Sequence, residues 1–187
     1  MILDLIKKNR SYRRYDASKG ISRELIVSCV ESARYVASAA NRQRLRFTVI
    51  NNNEDCDEIF SSLKFAGYLN EWAGPSREER PVAYIIVSSS AELDGLLGID
   101  IGIAAEAITL AAAEKGVGAC MFRSYDAEVI GRFVPAEGQM PHLVISLGYP
   151  TERVYLTDSV DGNIKYYRDE NDDHAVPKLS LDELLLN

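Results

Sequence analysis

Apolar positions along the chain follow two patterns, stripes with helical spacing and short continuous runs. Ser22 introduces the first pattern: it is a favourable N-cap, Glu24 lies in the first turn, and an apolar stripe follows. The almost uninterrupted β-branched run from Val82 to Val87 is typical of a strand covered on both faces. These patterns predict helices over 2–6, 22–33, 54–65, 95–115, 126–133 and 181–186, and strands over 47–50, 82–87, 117–122 and 143–147.

Strands therefore alternate with helices, which predicts an α/β or α+β domain. The segment from Gly67 to Arg80, with Trp72, Pro75 and a charged run, predicts a loop or a short helix. Beyond Gly148-Tyr149-Pro150 the chain becomes polar and turn-rich until the last helix. Because no repeat, low-complexity tract or linker interrupts it, we expect residues 1–187 to form a single domain.

The predicted helix 95–115 has almost no polar face, and Gly116 follows it at a position typical of a helix C-terminus. A helix that is apolar nearly all round is buried. Either it is the central core helix of one subunit or it packs against a second subunit, and both can hold together. Gly98 and Gly102 would let another backbone approach closely.

The chain is acidic, with 28 Asp and Glu against 21 Lys and Arg and a formal net charge of −7. This balance, without a long basic run, argues against nucleic acid or an anionic membrane as the main partner. Asp4, Lys7 and Lys8 interrupt the N-terminal apolar run, which is unlike a signal peptide. Asp100 and Glu106 make the most apolar stretch a poor membrane span.

The three cysteines, Cys29, Cys56 and Cys120, are widely spaced and form no C-x-x-C pair. This usage suits a reducing cytoplasm and offers no framework for disulfides or zinc. The chain has only two histidines, His142 and His174, so we expect no histidine-based metal site.

Positive charge is concentrated in one short segment of this acidic chain. The segment is Arg10-Ser11-Tyr12-Arg13, followed by Arg14. Arginine offers forked, charge-assisted hydrogen bonds to phosphate, and the serine hydroxyl adds a neutral one. The segment is either a phosphate-binding site or a solvated surface.

Six short motifs in this order resemble the FMN-dependent nitroreductase family over essentially the whole chain. They are Arg10-Ser11-Tyr12-Arg13, Ser38-Ala39-Ala40-Asn41-Arg42-Gln43, the helix from Asp100 to Gly116, Gly118-Ala119-Cys120-Met121-Phe122, Leu147-Gly148-Tyr149-Pro150 and Val176-Pro177-Lys178-Leu179-Ser180-Leu181. Each motif alone is weak, but six in order are specific.

The resemblance implies an α+β fold with a central mixed sheet flanked by helices, a long buried core helix and an intertwined homodimer. Two FMN molecules would lie at the subunit interface. Arg10, Ser11 and Arg13 would hold the phosphate with Lys178, while Asn41 and the Ser38-Ala39 backbone would reach the flavin from the other subunit. The backbone around Phe122, Arg123 and Ser124 would line the isoalloxazine, with one N–H directed at N5. The implied cofactor-binding residues are Arg10, Ser11, Tyr12, Arg13, Ser38, Ala39, Asn41, Gln43, Phe122, Arg123, Ser124 and Lys178.

The implied function is that of an oxidoreductase that passes hydride from NADH or NADPH through flavin N5 to a small acceptor such as a nitroaromatic or a quinone. The kinetics would be ping-pong. Because the cofactor carries the redox chemistry, no catalytic side chain and no metal are required. A flavin-binding module without turnover, a dehalogenating or flavin-destructive relative and a phosphate binder unrelated to flavin remain as alternatives.

Two departures from the family pattern concern charge. Asn9 stands where many members carry another arginine, and Arg44-Leu45 follows Gln43 where Pro-Trp is usual. Arg42, Arg44 and Arg46 could stabilise an anionic reduced flavin or face solvent, and the sequence leaves both open. Cys120 would lie near the flavin, where a buried apolar strand favours a packing residue over a redox thiol.

Overall fold

A computed structural model describes residues 1–69 and 72–186. Six helices and seven strands are described. The helices are α1 (Ile2–Lys8), α2 (Arg23–Tyr35), α3 (Asn53–Ser62), α4 (Gly95–Glu114), α5 (Ala127–Gly131) and α6 (Leu181–Leu184). The strands are β1 (Arg46–Ile50), β2 (Ala83–Ser89), β3 (Gly118–Phe122), β4 (Met140–Gly148), β5 (Val154–Asp158), β6 (Tyr167–Arg168) and β7 (His174–Lys178). The α+β class expected from the motifs is confirmed.

The central sheet has the strand order β1-β2-β4-β3, and all of its strand pairs are antiparallel. Within residues 1–69 and 72–186, the one parallel pairing of this sheet is a bridge between Ser11 and Ala119 on the β3 edge, so the predicted mixed character rests on this bridge. Strand β2 is buried along its whole length, as its β-branched run predicts. Alternate β2 side chains enter two cores, since Ile85 and Val87 face one side and Tyr84 and Ile86 the other.

Helix α4 covers one face of the sheet and packs against α2. It begins at the N-cap Asp94, whose carboxylate accepts from the Leu97 N–H, and it ends before Gly116, which has φ +77°. By length and composition α4 could also span a membrane, but half of its most apolar window is buried inside the protein. The prediction of a core helix is therefore confirmed.

The other face of the sheet carries α3 and α5 and a second core that includes Ile59, Ile130 and Phe122. Helices α3 and α5 are shorter than the periodicity predicts. Helix α3 ends at Ser62, where the chain turns so that Leu63 bridges Tyr125. In the predicted loop 67–80, the structure has a 3₁₀ turn at Arg77–Glu79, and residues 70 and 71 lie outside the described ranges.

The polar region after Pro150 contains a small sheet that the sequence pattern did not predict. Its order is β5-β7-β6, with β7 parallel to β5 and antiparallel to β6. These strands are short, and few of their side chains, among them His174 and Ala175, are fully buried. Long-range pairing, rather than an alternating apolar pattern, holds them together.

The rings of two tyrosines from the N-terminal segment pack directly on two glycines that pair across neighbouring strands. Gly118 of β3 pairs with Gly148 of β4. A Cβ at Gly118 would lie 2.7 Å from the Tyr12 ring, and one at Gly148 would lie 2.5 Å from the Tyr15 ring. Only glycine at these positions lets the Tyr12 and Tyr15 rings approach the sheet so closely, which fixes the course of residues 10–16.

We predict that Gly148→Ala destabilises the protein because the new methyl group overlaps the buried Tyr15 ring. Overpacking of this kind costs about 1–3 kcal/mol. For a chain of this length, that lowers Tm by roughly 3–10 °C. Gly131→Ala is the matched control, since a Cβ there meets no atom within 4 Å. Thermal unfolding followed by circular dichroism measures both variants, and equal Tm values for the two would contradict the role given to Gly148.

Candidate functional site

The arginine-rich segment lies as an extended strip along the edge of β3 and the end of β4. The Tyr12 N–H donates to the Ala119 carbonyl at 3.0 Å, and Tyr15 bridges Pro150. The Glu152 carboxylate holds the strip in place, because one of its oxygens accepts hydrogen bonds from the backbone N–H groups of Arg13 and Arg14. These contacts set the direction in which each arginine side chain leaves the backbone.

A cavity of about 360 Å³ opens beside this strip, and we call it the anion cavity. Four residues predicted to hold a phosphate line it together: Arg10, Ser11, Arg13 and Lys178. The rest of its lining is Asn9, Glu106, Thr109, Ala119, Cys120, Met121, Tyr166, His174 and Val176. Three cationic side chains therefore face one cavity, which is a suitable environment for a phosphate group.

Arg13 is held on several sides. It is 9% exposed, and its Nη1 donates to the Ser11 carbonyl at 3.2 Å and lies 3.3 Å from Nε2 of His174. The Tyr166 ring lies 4.7 Å from the guanidinium carbon, within the range of a cation–π contact. Nε and Nη2 have no recorded partner within residues 1–69 and 72–186, so these donors remain for a ligand.

Arg10 and Arg14 have different surroundings. Arg10 Nη2 donates to the Ile6 carbonyl at 2.8 Å, which ties the side chain to α1 at the rim of the anion cavity. Arg14 pairs with Asp172 and lies 3.7 Å from Glu79, away from the cavity lining. The sequence places three arginines together, but the structure directs only Arg10 and Arg13 to the anion cavity.

Opposite these cations, the Glu106 carboxylate also lines the cavity. Asn9 Nδ2 donates to Glu106 Oε1 at 3.1 Å and to Thr109 Oγ1 at 2.9 Å. Asn9 therefore connects the end of α1 to α4, and the position adds no positive charge to the cavity.

Cys120 lies in the floor of the anion cavity as a buried, free thiol. Burial raises its pKa to about 11, so the thiol stays protonated at physiological pH. This agrees with the packing role expected from the sequence.

The predicted residues Ser38, Asn41 and Gln43 lie elsewhere in the subunit, on a second cavity of about 810 Å³ that we call the loop cavity. Ala40, Asn41 and Gln43 have φ near +50°, so the loop runs in the left-handed region. The buried Asp100 of α4 anchors it, because its Oδ1 accepts from the Ala39 N–H at 2.8 Å. Within one chain, this loop and the anion cavity are separate.

The three arginines of this loop have different surroundings within the subunit. Arg44 lies between two carboxylates, 3.1 Å from Asp94 and 3.6 Å from Asp100. Arg46 donates to the Gln43 and Leu45 carbonyls, and Arg42 is exposed. Arg44 and Arg46 therefore hold the loop in shape.

Besides Ala39, four further predicted residues line neither cavity in the described chain. Tyr12 packs on Gly118, and its hydroxyl donates to the Lys8 carbonyl at 3.3 Å. The Phe122 ring lies in the second core, 4.8 Å from the Phe65 ring. Arg123 and Ser124 are exposed after β3, where the Ser124 carbonyl accepts from the Lys64 N–H.

Sequence reasoning missed three residues of this site. His174 and Tyr166 line the anion cavity, and Glu152 anchors the strip beneath it with a side chain that is 2% exposed. All three lie in the polar C-terminal region, where single residues carry no motif. Short runs with strand propensity, Val154-Tyr155-Leu156 and Ala175-Val176, are local signals of strands there.

Comparisons with known proteins agree with this architecture. Residues 6–80 match the model of the nitroreductase family. A Bacteroides thetaiotaomicron protein provisionally named NADH dehydrogenase/NAD(P)H nitroreductase is 25% identical, with a TM-score of 0.67 over 86% of this chain and 92% of that one. A nitroreductase with bound FMN from Desulfitobacterium hafniense is 24% identical to this protein. Its TM-score is 0.66, and the match covers 88% of this chain and 97% of that one. A nitroreductase family protein from Streptococcus pneumoniae is 15% identical, with a TM-score of 0.69 over the whole of both chains. Among curated proteins, none matches the sequence.

The family model spans both the arginine strip and the loop at Asn41, and the solved structures extend the shared fold through the C-terminal sheet. Residues 6–80 therefore match the nitroreductase family, and the chain as a whole shares its fold with solved nitroreductase family proteins.

Proposed function

We propose that the protein, as a single domain over residues 1–187, binds FMN and is an NAD(P)H-dependent oxidoreductase for nitroaromatic, quinone or similar small acceptors. The observation that carries this proposal is the convergence of Arg10, Arg13 and Lys178 on one cavity of about 360 Å³. In an acidic protein with a nitroreductase fold, such a cavity is a selective place for the phosphate of a flavin nucleotide.

The residues of the anion cavity fit a phosphate well. Arg13 keeps Nε and Nη2 available within the described chain, and the buried Arg10 Nε also has no partner there. Buried guanidinium donors without partners are costly unless a ligand accepts from them. A bound phosphate would accept from these donors and from the Ser11 hydroxyl, while Lys178 would add charge from β7.

The chemistry that FMN supplies when bound is hydride transfer through N5, from NADH or NADPH to the acceptor, in alternating half-reactions. The side chains of this protein bind and orient. Arg10, Ser11, Arg13 and Lys178 would hold the phosphate, and the exposed backbone after Phe122 would meet the isoalloxazine. Neither a catalytic side chain nor a metal is part of this proposal. The free, buried cysteines suit a cytoplasmic enzyme.

We further propose that the working unit is an intertwined homodimer. Leu96, Ile99 and Ile103 of α4 are 38–59% exposed in the subunit, on the side away from the buried Ile101 and Ala105. A contiguous exposed apolar face marks an interaction site. Pairing two copies along α4 would let the loop at Asn41 of one copy approach the anion cavity of the other, which joins the two parts of the site.

The function is tested by anaerobic titration of the purified protein. We expect the visible absorbance of oxidised flavin to bleach with NADH or NADPH and to return when a nitroaromatic or a quinone is added. We expect Lys178→Gln to weaken FMN binding by about tenfold or more, because it loses a charge-assisted contact. Lys19→Gln, at a lysine that pairs with Asp16 outside the cavity, is the control. A flavin that binds but never bleaches would mean a binding module without turnover, and a protein that binds no flavin would refute the proposal.

The dimer is tested at α4. We predict that Ile99→Glu gives a monomer that binds FMN poorly, because a carboxylate buried without a partner costs several kcal/mol. Light scattering after size-exclusion chromatography measures the mass, and flavin absorbance measures occupancy. Val160→Glu, at an apolar side chain that is 72% exposed, is the control and should leave both unchanged. A wild-type monomer that binds FMN would disprove the dimer.

A further inference from the structure

His174 is a fully buried polar side chain that contacts the central arginine of the anion cavity. It begins β7, where Val154 of β5 and Arg168 of β6 are its neighbours in the small sheet. Its exposed fraction is 0%, and its Nε2 lies 3.3 Å from Arg13 Nη1. The residue therefore connects the C-terminal sheet to the N-terminal arginine strip.

The contact with Arg13 fixes the tautomer of the ring. A guanidinium only donates hydrogen bonds, so His174 Nε2 must be the acceptor, and in the neutral ring the hydrogen is on Nδ1. Nδ1 is buried and has no hydrogen-bond partner in the part of the chain that the structure describes. Burying such a donor does not favour folding, so stability alone does not account for a histidine here.

The surroundings keep this ring neutral. Burial, together with the positive charges of Arg13, Arg168 and Arg14, lowers the pKa of His174 to about 4. The Tyr166 ring covers the pair, with its centroid 5.1 Å from that of His174. At physiological pH the ring is therefore a neutral acceptor enclosed next to a cation.

We propose that His174 is a positioning residue for phosphate recognition: by accepting from Arg13 Nη1, it holds the guanidinium so that Nε and Nη2 remain for the phosphate. The Ser11 carbonyl accepts from the same Nη1, and the Tyr166 ring limits movement of the guanidinium away from the strip. A side chain held in its binding geometry before the ligand arrives loses less entropy on binding. This inference rests on the proposed binding of FMN.

The test compares affinity for FMN with affinity for riboflavin, which lacks the phosphate. We expect His174→Leu to lower the preference for FMN by about fivefold to twentyfold, as the loss of one hydrogen bond to a charged group implies. His174→Gln, whose amide oxygen can replace Nε2 as the acceptor, should stay within about threefold of the wild type. Arg13→Ala should lose most of the preference. His142→Leu is the matched control, because His142 is also buried with an unsatisfied ring nitrogen but has no recorded contact with Arg13.

The outcomes separate the two proposals. A wild-type protein that binds neither FMN nor riboflavin would refute the proposed function. Where FMN binds, a full preference for FMN in Arg13→Ala would show that Arg13 does not recognise the phosphate, and the role given to His174 would fail. Loss of preference in Arg13→Ala but not in His174→Leu would make His174 a packing residue only. Equal loss in His174→Gln and His174→Leu would exclude the role as acceptor.

A measurement on the wild-type protein does not depend on how the His174 and Arg13 variants fold. In ¹⁵N NMR of the histidine rings, with His142→Gln used to assign the two residues, we expect His174 to be neutral with its hydrogen on Nδ1 at pH 7. A hydrogen on Nε2, or a charged ring, would overturn the proposal.

Discussion

The packing of Tyr12 and Tyr15 on the glycine pair Gly118–Gly148 is the contact on which the rest of the site depends. A Cβ at Gly118 would collide with the Tyr12 ring, and one at Gly148 would collide with the Tyr15 ring. Tyr15 is fully buried, and its hydroxyl donates to the Tyr12 carbonyl at 2.6 Å, so its ring and its polar end are both fixed. Because both tyrosines face the sheet, Ser11 and Arg13 are held at its edge beside the anion cavity.

Hydrogen bonds and ion pairs then determine where each charged side chain of the strip lies. One Glu152 oxygen accepts hydrogen bonds from the backbone N–H groups of Arg13 and Arg14. The other oxygen forms an ion pair with Arg168, whose Nη2 lies 2.7 Å from it. The carboxylate therefore occupies the backbone donors that could otherwise bind an anion. Asp172 takes the side chain of Arg14, which leaves Arg13 as the buried cation of the cavity. Position in the fold, more than the number of arginines, sets the charge that a ligand meets.

Charge compensation also shapes the loop at Asn41, where the buried charged group is a carboxylate and not a guanidinium. Asp100 is buried on the apolar helix α4, where a lone carboxylate would be costly. The Ala39 N–H and the Arg44 guanidinium compensate for that cost, and in doing so they hold the loop against α4. The loop cavity is formed against the same stretch of α4 that presents Ile99 and Ile103 to the outside, so its neighbourhood is also the one that a second copy would cover.

Local sequence was sufficient for the elements whose signals are local. The helix cap at Ser22, Gly116 at the end of the long helix and the β-branched run of β2 predict helices and a strand that the structure confirms, because each signal depends on residues a few positions apart. The motifs also identified the arginine strip and Lys178 as partners in one site, and these residues do line one cavity.

Tertiary structure alone decided what depends on distant contacts. The sheet of β5, β6 and β7 forms through pairing between short polar strands, so no local periodicity reveals it. The same pairing brings His174 to Arg13 across 161 positions of sequence. The sequence by itself determined the helices and the strands of the central sheet, and it concentrated arginines in one N-terminal segment. Only the folded structure decided which arginine faces the cavity and which neutral ring holds it, because side-chain direction follows from packing and not from sequence spacing.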